Sequence, residues 1–295
     1  MQIERRKPLS ANAGLIGVGL DTYWKQFEGL YDVMIEKKAA TVDKIQQHNV
    51  RVRDFGIIDN AASAYAVVPK LKAADLDILF VDMLTYATSA TFSIIARELD
   101  IPIVLLVLQP LSELDYANTT TFVQLCNDDY CAVPEFTGAA VRMGRKTPPV
   151  VIGCRENDAR AEDEIREWCR IAHVLHDVKR ARIGHLGHVL EGMMDMHTDP
   201  AAVTAAFGCH VVQCESDDIM LQYKDIDNTA SDVIAMKDRI LDFFETPDPV
   251  SDPLTEKLTE NDLWTAARSA VALDRFIAEK NIDGLAYYYE ALPAS

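Results

Sequence analysis

Carboxylate and phenol side chains follow the apolar segments that predict buried strands. Asp21 and Tyr23 come directly after the apolar residues 14–20, and Tyr86 follows the predicted strand 77–81. The carboxyl ends of parallel strands form the edge at which α/β proteins bind ligands. Hydroxyl groups, carboxylates and aromatic faces at such an edge suit a polyhydroxylated ligand. Packing within the fold explains Tyr86 equally well, so both interpretations stay open.

A further polar cluster falls in the irregular segment after the fourth predicted strand. Asn127, Asp128, Asp129 and Tyr130 are consecutive there. Paired carboxylates can act as general acid and base. An irregular segment beside a sheet suits a site better than the acidic run 162–164, which lies on a predicted solvated helix face. This cluster is therefore the second candidate part of a site.

Other patterns that could carry chemistry are incomplete. Gly14, Gly17 and Gly19 have the spacing GxxGxG, which does not match the GxGxxG loop of dinucleotide-binding proteins. His185 and His188 fall on a predicted strand, where side chains three residues apart point to opposite faces and cannot share a metal ion. The sequence contains no GxSxG motif and no P-loop. The residues alone predict a ligand-binding α/β protein without a defined reaction.

Length, charge and cysteine usage set the class of protein. The 295 residues fit about two domains. The net charge of −17, from 46 acidic and 29 basic residues, disfavours nucleic acid and anionic membranes as partners. No stretch approaches the roughly 18 apolar residues of a membrane helix, and the first residues lack a signal-peptide pattern, so we expect a cytoplasmic protein. The six cysteines lack CxxC spacing and are expected to be reduced thiols.

Strand-like and helix-like segments alternate along the chain. This alternation, with nearly continuous apolar strands, predicts an α/β fold of two consecutive open, mostly parallel sheets flanked by helices, Rossmann-like or flavodoxin-like. The predicted strands are 14–20, 52–58, 77–81, 102–108, 150–153, 181–189, 209–213 and 283–290. The main predicted helices are 23–48, 60–74, 88–99, 118–126, 134–144, 158–179, 199–206, 228–245 and 260–280.

The expected domain boundaries follow from these elements. Pro148 and Pro149 disfavour helix and announce a new strand. We therefore expect an N-terminal α/β domain over 1–147, a central α/β domain over 148–281, and the start of a truncated C-terminal domain over 282–295. The last assignment rests on the aromatic strand-like run near the end, which resembles the opening strand of a further unit.

Four segments, in order along the chain, share a pattern with a known family. They are 23–30, 79–81 with 85–89, 104–110, and 284–290. Together they resemble the L-arabinose/L-fucose isomerase family, most closely its arabinose-isomerase-like branch. Members of this family have N-terminal, central and C-terminal domains and interconvert aldoses and ketoses. They use a divalent metal as Lewis acid and carboxylates that move a proton between C1 and C2.

The resemblance implies a cofactor, partners and a set of sugar-lining residues. The expected metal is Mn2+. Its ligands and the acid/base carboxylates fall beyond residue 295, so no catalytic or metal-binding residue is assigned within this chain. A small-molecule sugar and further copies of the chain, in a hexamer or trimer, are the expected partners. The sugar-lining positions that the resemblance carries over are Asp21, Tyr23, Tyr86, Asn127, Tyr130, Leu190 and Tyr289.

The identity of the sugar stays open because three of these positions depart from the family pattern. Arabinose isomerases proper carry glutamine and histidine where Asp21, Asn127 and Tyr130 stand. Three functions remain. The chain is the sugar-lining part of a metal-dependent aldose–ketose isomerase and inactive alone, or a non-catalytic sugar-binding or regulatory module with two α/β lobes, or a subunit that supplies sugar-lining loops to a separate catalytic chain.

Overall fold

The computed structural model describes residues 7–245 and 258–288. These residues form two compact units, one from Lys7 to Asp177 and the other from Val178 onward. Each unit contains a parallel sheet, of five strands in the first and three in the second. The predicted α/β fold with two mostly parallel sheets is confirmed. No helix in the described ranges combines the length and apolar character that a bilayer span requires.

The first unit alternates strands and helices. In chain order its elements are β1 (Asn12–Val18), α1 (Asp21–Gln26), α2 (Leu30–Gln46), β2 (Arg51–Ile58), α3 (Ala61–Lys72), β3 (Ile78–Met83), α4 (Ser89–Ala96), β4 (Ile103–Gln109), α5 (Thr121–Cys126), α6 (Val133–Arg142), β5 (Val150–Cys154) and α7 (Ala159–Arg180). Helix α7 runs across the division between the units. The strands are parallel in the order β2-β1-β3-β4-β5.

Helices cover both faces of this sheet, and for that reason its central strands are almost entirely apolar. Successive side chains of a strand point to opposite faces. Val81 and Leu105 accordingly pack with α3, α4 and α6 on one face. Phe80 and Leu106 pack with α2 and α7 on the other. All six residues of β3 are buried, as expected for a central strand of a doubly covered sheet.

Residues 23–48, expected to form one helix, form two. Gly29 adopts a φ of 81°, in the left-handed region that glycine enters without a steric penalty, and α2 begins at Leu30. Helix α3, by contrast, begins where the sequence predicts. The Asn60 side chain accepts the backbone N–H of Ser63 at 2.8 Å, and the Ser63 hydroxyl accepts the backbone N–H of Asn60 at 3.1 Å. This reciprocal capping fixes the start of α3.

The structure divides the chain elsewhere than at the expected boundary 147/148. Strand β5 pairs with β4 from Leu105–Val150 to Gln109–Cys154 and so extends the first sheet. The carbonyl oxygen of Pro149 accepts the backbone N–H of Leu105 at 2.9 Å. The preceding helix α6 already ends at Arg142, before the paired prolines, and the strand that follows them adds to the existing sheet edge instead of opening a new sheet.

The second unit is smaller. In chain order its elements are β6 (Arg182–Leu186), a 3-10 turn (Met194–Met196), α8 (Pro200–Phe207), β7 (His210–Cys214), α9 (Ser216–Lys224), α10 (Ser231–Phe243), α11 (Glu260–Lys280) and β8 (Gly284–Tyr287). The three strands are parallel in the order β7-β6-β8. Helix α9 was not among the predicted helices. Phe276 of α11 packs beneath the sheet with Cys214 and Ile282.

Strand β8 belongs to this second sheet. It pairs with β6 from Ile183–Gly284 to Leu186–Tyr287. The sequence predicted that residues 282–295 start a third domain. In the structure the described part of that segment completes a sheet whose other strands precede it. An aromatic, strand-forming run identifies a strand, but its pairing partner is set by tertiary contacts that the run itself does not reveal.

The division near the end of α7 yields a test with two fragments of the first unit. We expect residues 7–180 to unfold in one cooperative transition. Residues 7–147 lack the buried side chains Val151, Ile165 and Cys169, which close one face of the sheet, and should not unfold cooperatively. Thermal melts followed by circular dichroism compare the two fragments directly. Equal cooperativity and midpoints for both would contradict the observed boundary.

Candidate functional site

The order of strands in the first sheet reverses at its carboxyl edge between β1 and β3. From β1 the chain crosses to β2 on one side and then returns to β3 on the other. Helix α2, which follows β1 and α1, packs on one face, and α4, which follows β3, packs on the opposite face. The loops after β1 and β3 therefore diverge, and this is the place where open α/β sheets bind ligands. Tyr23 of α1 follows β1, and Tyr86 follows β3.

Tyr86 is held by a carboxylate from another helix. Glu135 of α6 accepts the hydroxyl of Tyr86 at 3.1 Å and the backbone N–H of Ser89, the first residue of α4, at 2.7 Å. The Ser89 amide is the main cause that lowers the pKa of Glu135. Burial, followed by the hydrogen bond to Glu135, raises the pKa of Tyr86. The Tyr86 hydroxyl thus stays protonated and donates a hydrogen bond to the ionised carboxylate of Glu135.

Tyr23 lies in the electrostatic field of the segment between α5 and α6. Partial burial raises the pKa of Tyr23, and the negative charge of Asp128 and then Cys131 add to the shift. The Cys131 thiol is exposed at the surface, yet desolvation by neighbouring atoms and then Asp128 raise its pKa to about 12. Cys131 and Tyr23 also contribute to the raised pKa of Tyr86. Together, Tyr23, Tyr86, Asp128, Cys131 and Glu135 form the tyrosine–carboxylate patch.

The remaining predicted site residues fall in different places. Asp21 starts α1 and accepts the side-chain amide of Asn60 at 3.0 Å. Tyr130 is exposed beside the patch residues of its own segment. Leu190 lies in the second unit, in the loop after β6, and is half-buried. Tyr289 lies outside the described residues.

Asn127, predicted to line the site, has a structural role in the fold. It is buried, and its side chain accepts the backbone N–H of Leu111 at 3.0 Å and donates to the carbonyl of Val123 at 2.9 Å. Its own carbonyl accepts the side-chain amide of Gln109 at 2.8 Å. These contacts fasten the segment that follows β4. Asn127 therefore anchors the segment that carries Asp128, and its side-chain amide is hydrogen-bonded to the backbone.

The sequence interpretation missed a lysine buried next to the patch. Lys37 of α2 donates to the carbonyls of Leu84 and Cys126 at 2.6 and 2.9 Å, and to the carboxylate of Asp129 at 2.9 Å. All three of its donors are thus used. Burial lowers the pKa of Lys37. A lysine in a helix whose neighbouring positions are charged is normally read as solvent-exposed, so the sequence offers no signal for this contact.

An arginine at the end of β5 completes the buried ion network, which consists of Lys37, Asp82, Asp129 and Arg155. Arg155 donates to Asp82 at 2.8 Å and to Asp129 at 3.2 Å. Both carboxylates are 0% exposed. One sequence signal did exist, because Asp82 is the single charged residue in the otherwise apolar strand β3. A buried carboxylate in such a strand requires a cation.

The family resemblance implies a manganese ion whose ligands it places beyond residue 295. Across residues 7–245 and 258–288, no group of three His, Cys, Asp or Glu side chains converges to hold a metal ion. Within the patch, Glu135 is engaged by Tyr86 and Ser89. His185 and His188 make separate hydrogen bonds, to Gln213 and to a backbone carbonyl. We therefore assign no metal-dependent step to these residues.

Comparison with known proteins provides no functional assignment. No family model matches the chain, and no curated protein matches it significantly. One similar solved structure is a conserved domain protein from Vibrio cholerae O1 biovar El Tor strain N16961, with 11% identity and a TM-score of 0.27. The match covers 78% of this chain and 63% of that one. This similarity is too low to indicate a function, and the resemblance to sugar isomerases stays a prediction.

Removal of Lys37 tests the buried ion network. Lys37→Met removes the donor of two backbone carbonyls and leaves Asp129 with Arg155 alone, and we expect a loss of about 3–5 kcal/mol in the free energy of unfolding. Lys72→Met is the matched control, because Lys72 forms an exposed pair with Glu98 and should cost less than about 1 kcal/mol. Urea denaturation measures both. Equally small losses would mean that the network does not stabilise the fold.

The pH dependence of stability should carry the signature of Asp129. Burial, partly offset by Lys37 and Arg155, raises the pKa of Asp129 to about 6, against about 3.9 in an unfolded chain. Between these values the folded chain binds the proton more tightly. The contribution of Asp129 to stability is therefore full below about pH 4 and is lost as the pH rises to about 6.

Asp129→Asn removes this titration. The unfolding free energy of the wild type minus that of the variant should fall from about pH 4 to about pH 6 and then level off. Urea denaturation across this pH range measures the difference. A difference that stays constant or rises over the range would show that Asp129 does not titrate as the buried network requires.

Proposed function

We propose that the first unit binds a sugar at the carboxyl edge of its sheet, as the sugar-lining part of an aldose–ketose isomerase of the L-arabinose/L-fucose type. The observation that carries this proposal is the tyrosine–carboxylate patch. Two tyrosines that follow different strands, Tyr23 and Tyr86, share it with Asp128 and Glu135. Their position after the two strands at which the order of an open α/β sheet reverses supports a ligand-binding role.

The chemistry of the patch suits a polyhydroxylated molecule. Tyrosine rings offer apolar faces for the C–H groups of a sugar and polar edges for its hydroxyls. The Asp128 carboxylate adds hydrogen-bond acceptors for hydroxyl donors. The buried ion network and the Glu135 contacts hold these groups on connected elements, which lowers the entropic cost of binding. In this proposal Tyr23 and Tyr86 bind and orient the sugar.

The remaining parts of the reaction are not assigned to the described residues. When bound, the manganese of such isomerases polarises the sugar oxygens at C1 and C2. The homo-oligomer expected from the resemblance likewise stays a proposal. The alternative function, a sugar-binding or regulatory module, uses the same patch and differs only in the absence of turnover.

Binding is tested with pentoses and 6-deoxyhexoses by isothermal titration calorimetry. The wild-type chain should bind at least one of these sugars. Tyr86→Phe removes one hydroxyl and should weaken the affinity about 2- to 10-fold, the range expected for one hydrogen bond. The matched control is Tyr65→Phe on α3, an exposed tyrosine, which should bind as the wild type does. Circular dichroism establishes that each variant is folded.

The same sugars, incubated with Mn2+, test for aldose-to-ketose conversion. Binding without turnover supports the sugar-lining or module functions. Turnover that Tyr86→Phe slows supports an isomerase and contradicts the assignment of the chemistry to residues beyond this chain. No binding of any sugar, or equal effects of the Tyr86 and Tyr65 variants, would reject the proposed function.

A further inference from the structure

Whether the tyrosine–carboxylate patch offers hydrogen-bond donors or acceptors to a ligand depends on Glu135. An ionised carboxylate can only accept hydrogen bonds. Glu135 accepts the single proton of Tyr86 at 3.1 Å and the backbone N–H of Ser89 at 2.7 Å. The proton of Tyr86 is thereby committed to a protein partner. What the phenol oxygen retains for a ligand is acceptor capacity alone.

Groups around Tyr86 reinforce this polarity. Asp128 contributes a negative charge that reaches Tyr23. The nearby cation Lys37 has all its donors engaged by Leu84, Cys126 and Asp129. Arg155 is held by Asp82 and Asp129 in the same buried network. These cations therefore neutralise interior carboxylates and are not free to bind an anionic ligand.

Glu135 also fills the position where α4 could attract an anion. The first backbone N–H groups of a helix lack partners within the helix and favour negative charge. At α4 the preceding Thr88 makes no side-chain cap, and the Glu135 carboxylate accepts the Ser89 N–H instead. A phosphate or carboxylate of a ligand would have to displace Glu135 or lie beside its charge.

We propose that Glu135 determines ligand specificity at this site: it makes the patch an acceptor surface that selects sugars with free hydroxyl or amino groups and rejects their phosphate esters. This inference rests on the proposed function, because it assumes that a sugar binds at the patch. Glu135 acts through Tyr86 and through its own charge, so it is a positioning residue. A purely structural role, as a cap of α4, makes a different prediction.

Glu135→Gln separates the two roles. The glutamine carbonyl retains an acceptor for the Ser89 N–H, so the cap persists. The glutamine amide, however, donates to the Tyr86 oxygen, and the Tyr86 proton becomes available to a ligand. The substitution also removes one negative charge. A capping role predicts unchanged ligand preference, whereas the specificity role predicts a shift towards anionic ligands.

The experiment measures dissociation constants of glucose, glucosamine and glucose 6-phosphate for the full chain by calorimetry. The wild type should bind glucosamine and glucose at least about 10-fold more tightly than the phosphate, because like charges repel at the patch. Glu135→Gln should reduce that ratio about 10-fold or more. The matched control is Glu36→Gln on the exposed face of α2, which makes the same charge change and should keep the wild-type ratio.

A second variant tests whether Glu135 acts through Tyr86. In the Tyr86→Phe background, Glu135→Gln should change the ratio less than in the wild type, because the phenol that it orients is absent. If the wild type binds sugars but Glu135→Gln leaves the ratio unchanged, or if the wild type prefers the phosphate ester, the specificity proposal is overturned and sugar binding stands. Absence of binding by all three ligands and by the sugars tested above overturns both.

Discussion

The candidate site depends on the neutralisation of two buried carboxylates. Asp82 and Asp129 are 0% exposed, and an unpaired charge in such a place would be strongly destabilising. Lys37 reaches them from α2 and Arg155 from the end of β5. Four segments must therefore come together before any of these charges is satisfied. Because Asp129 directly follows Asp128 in the chain, the contacts that neutralise it also fix the segment that carries part of the patch.

Most of the first sheet could be predicted from the sequence because its strands are buried on both faces. The run Ile78–Met83 is apolar except for Asp82 and has few alternatives. The structure differs from the expectations where a local sequence signal does not determine how distant segments pack. Pro149 precedes a strand, but whether that strand joins the first sheet or opens a new one depends on contacts with Leu105. Gly29 similarly divides a helix whose flanking sequence is helical on both sides.

The site was predictable in part for a topological reason. Tyr23 and Tyr86 follow strands that lie next to each other, so residues at both strand ends must share one edge. The residues that support them were not predictable. Lys37 and Asp129 are 92 residues apart in the chain, and Arg155 and Asp82 are 73 apart. Asn127 shows another limit of prediction from sequence. A polar residue in an irregular segment can form hydrogen bonds with the backbone as readily as with a ligand.

The position of Glu135 is fixed by the packing of the hydrophobic core. Its neighbour Phe136 is fully buried and stacks on Phe92 of α4, with ring centroids 4.9 Å apart. Close packing permits few alternative arrangements of two such rings, so α4 and α6 are held in fixed register. Glu135 then necessarily stands at the start of α4, within reach of Ser89 and Tyr86. The hydrophobic packing of Phe136 thus positions the neighbouring Glu135. A substitution of Phe92 in the core would therefore move the Glu135 carboxylate.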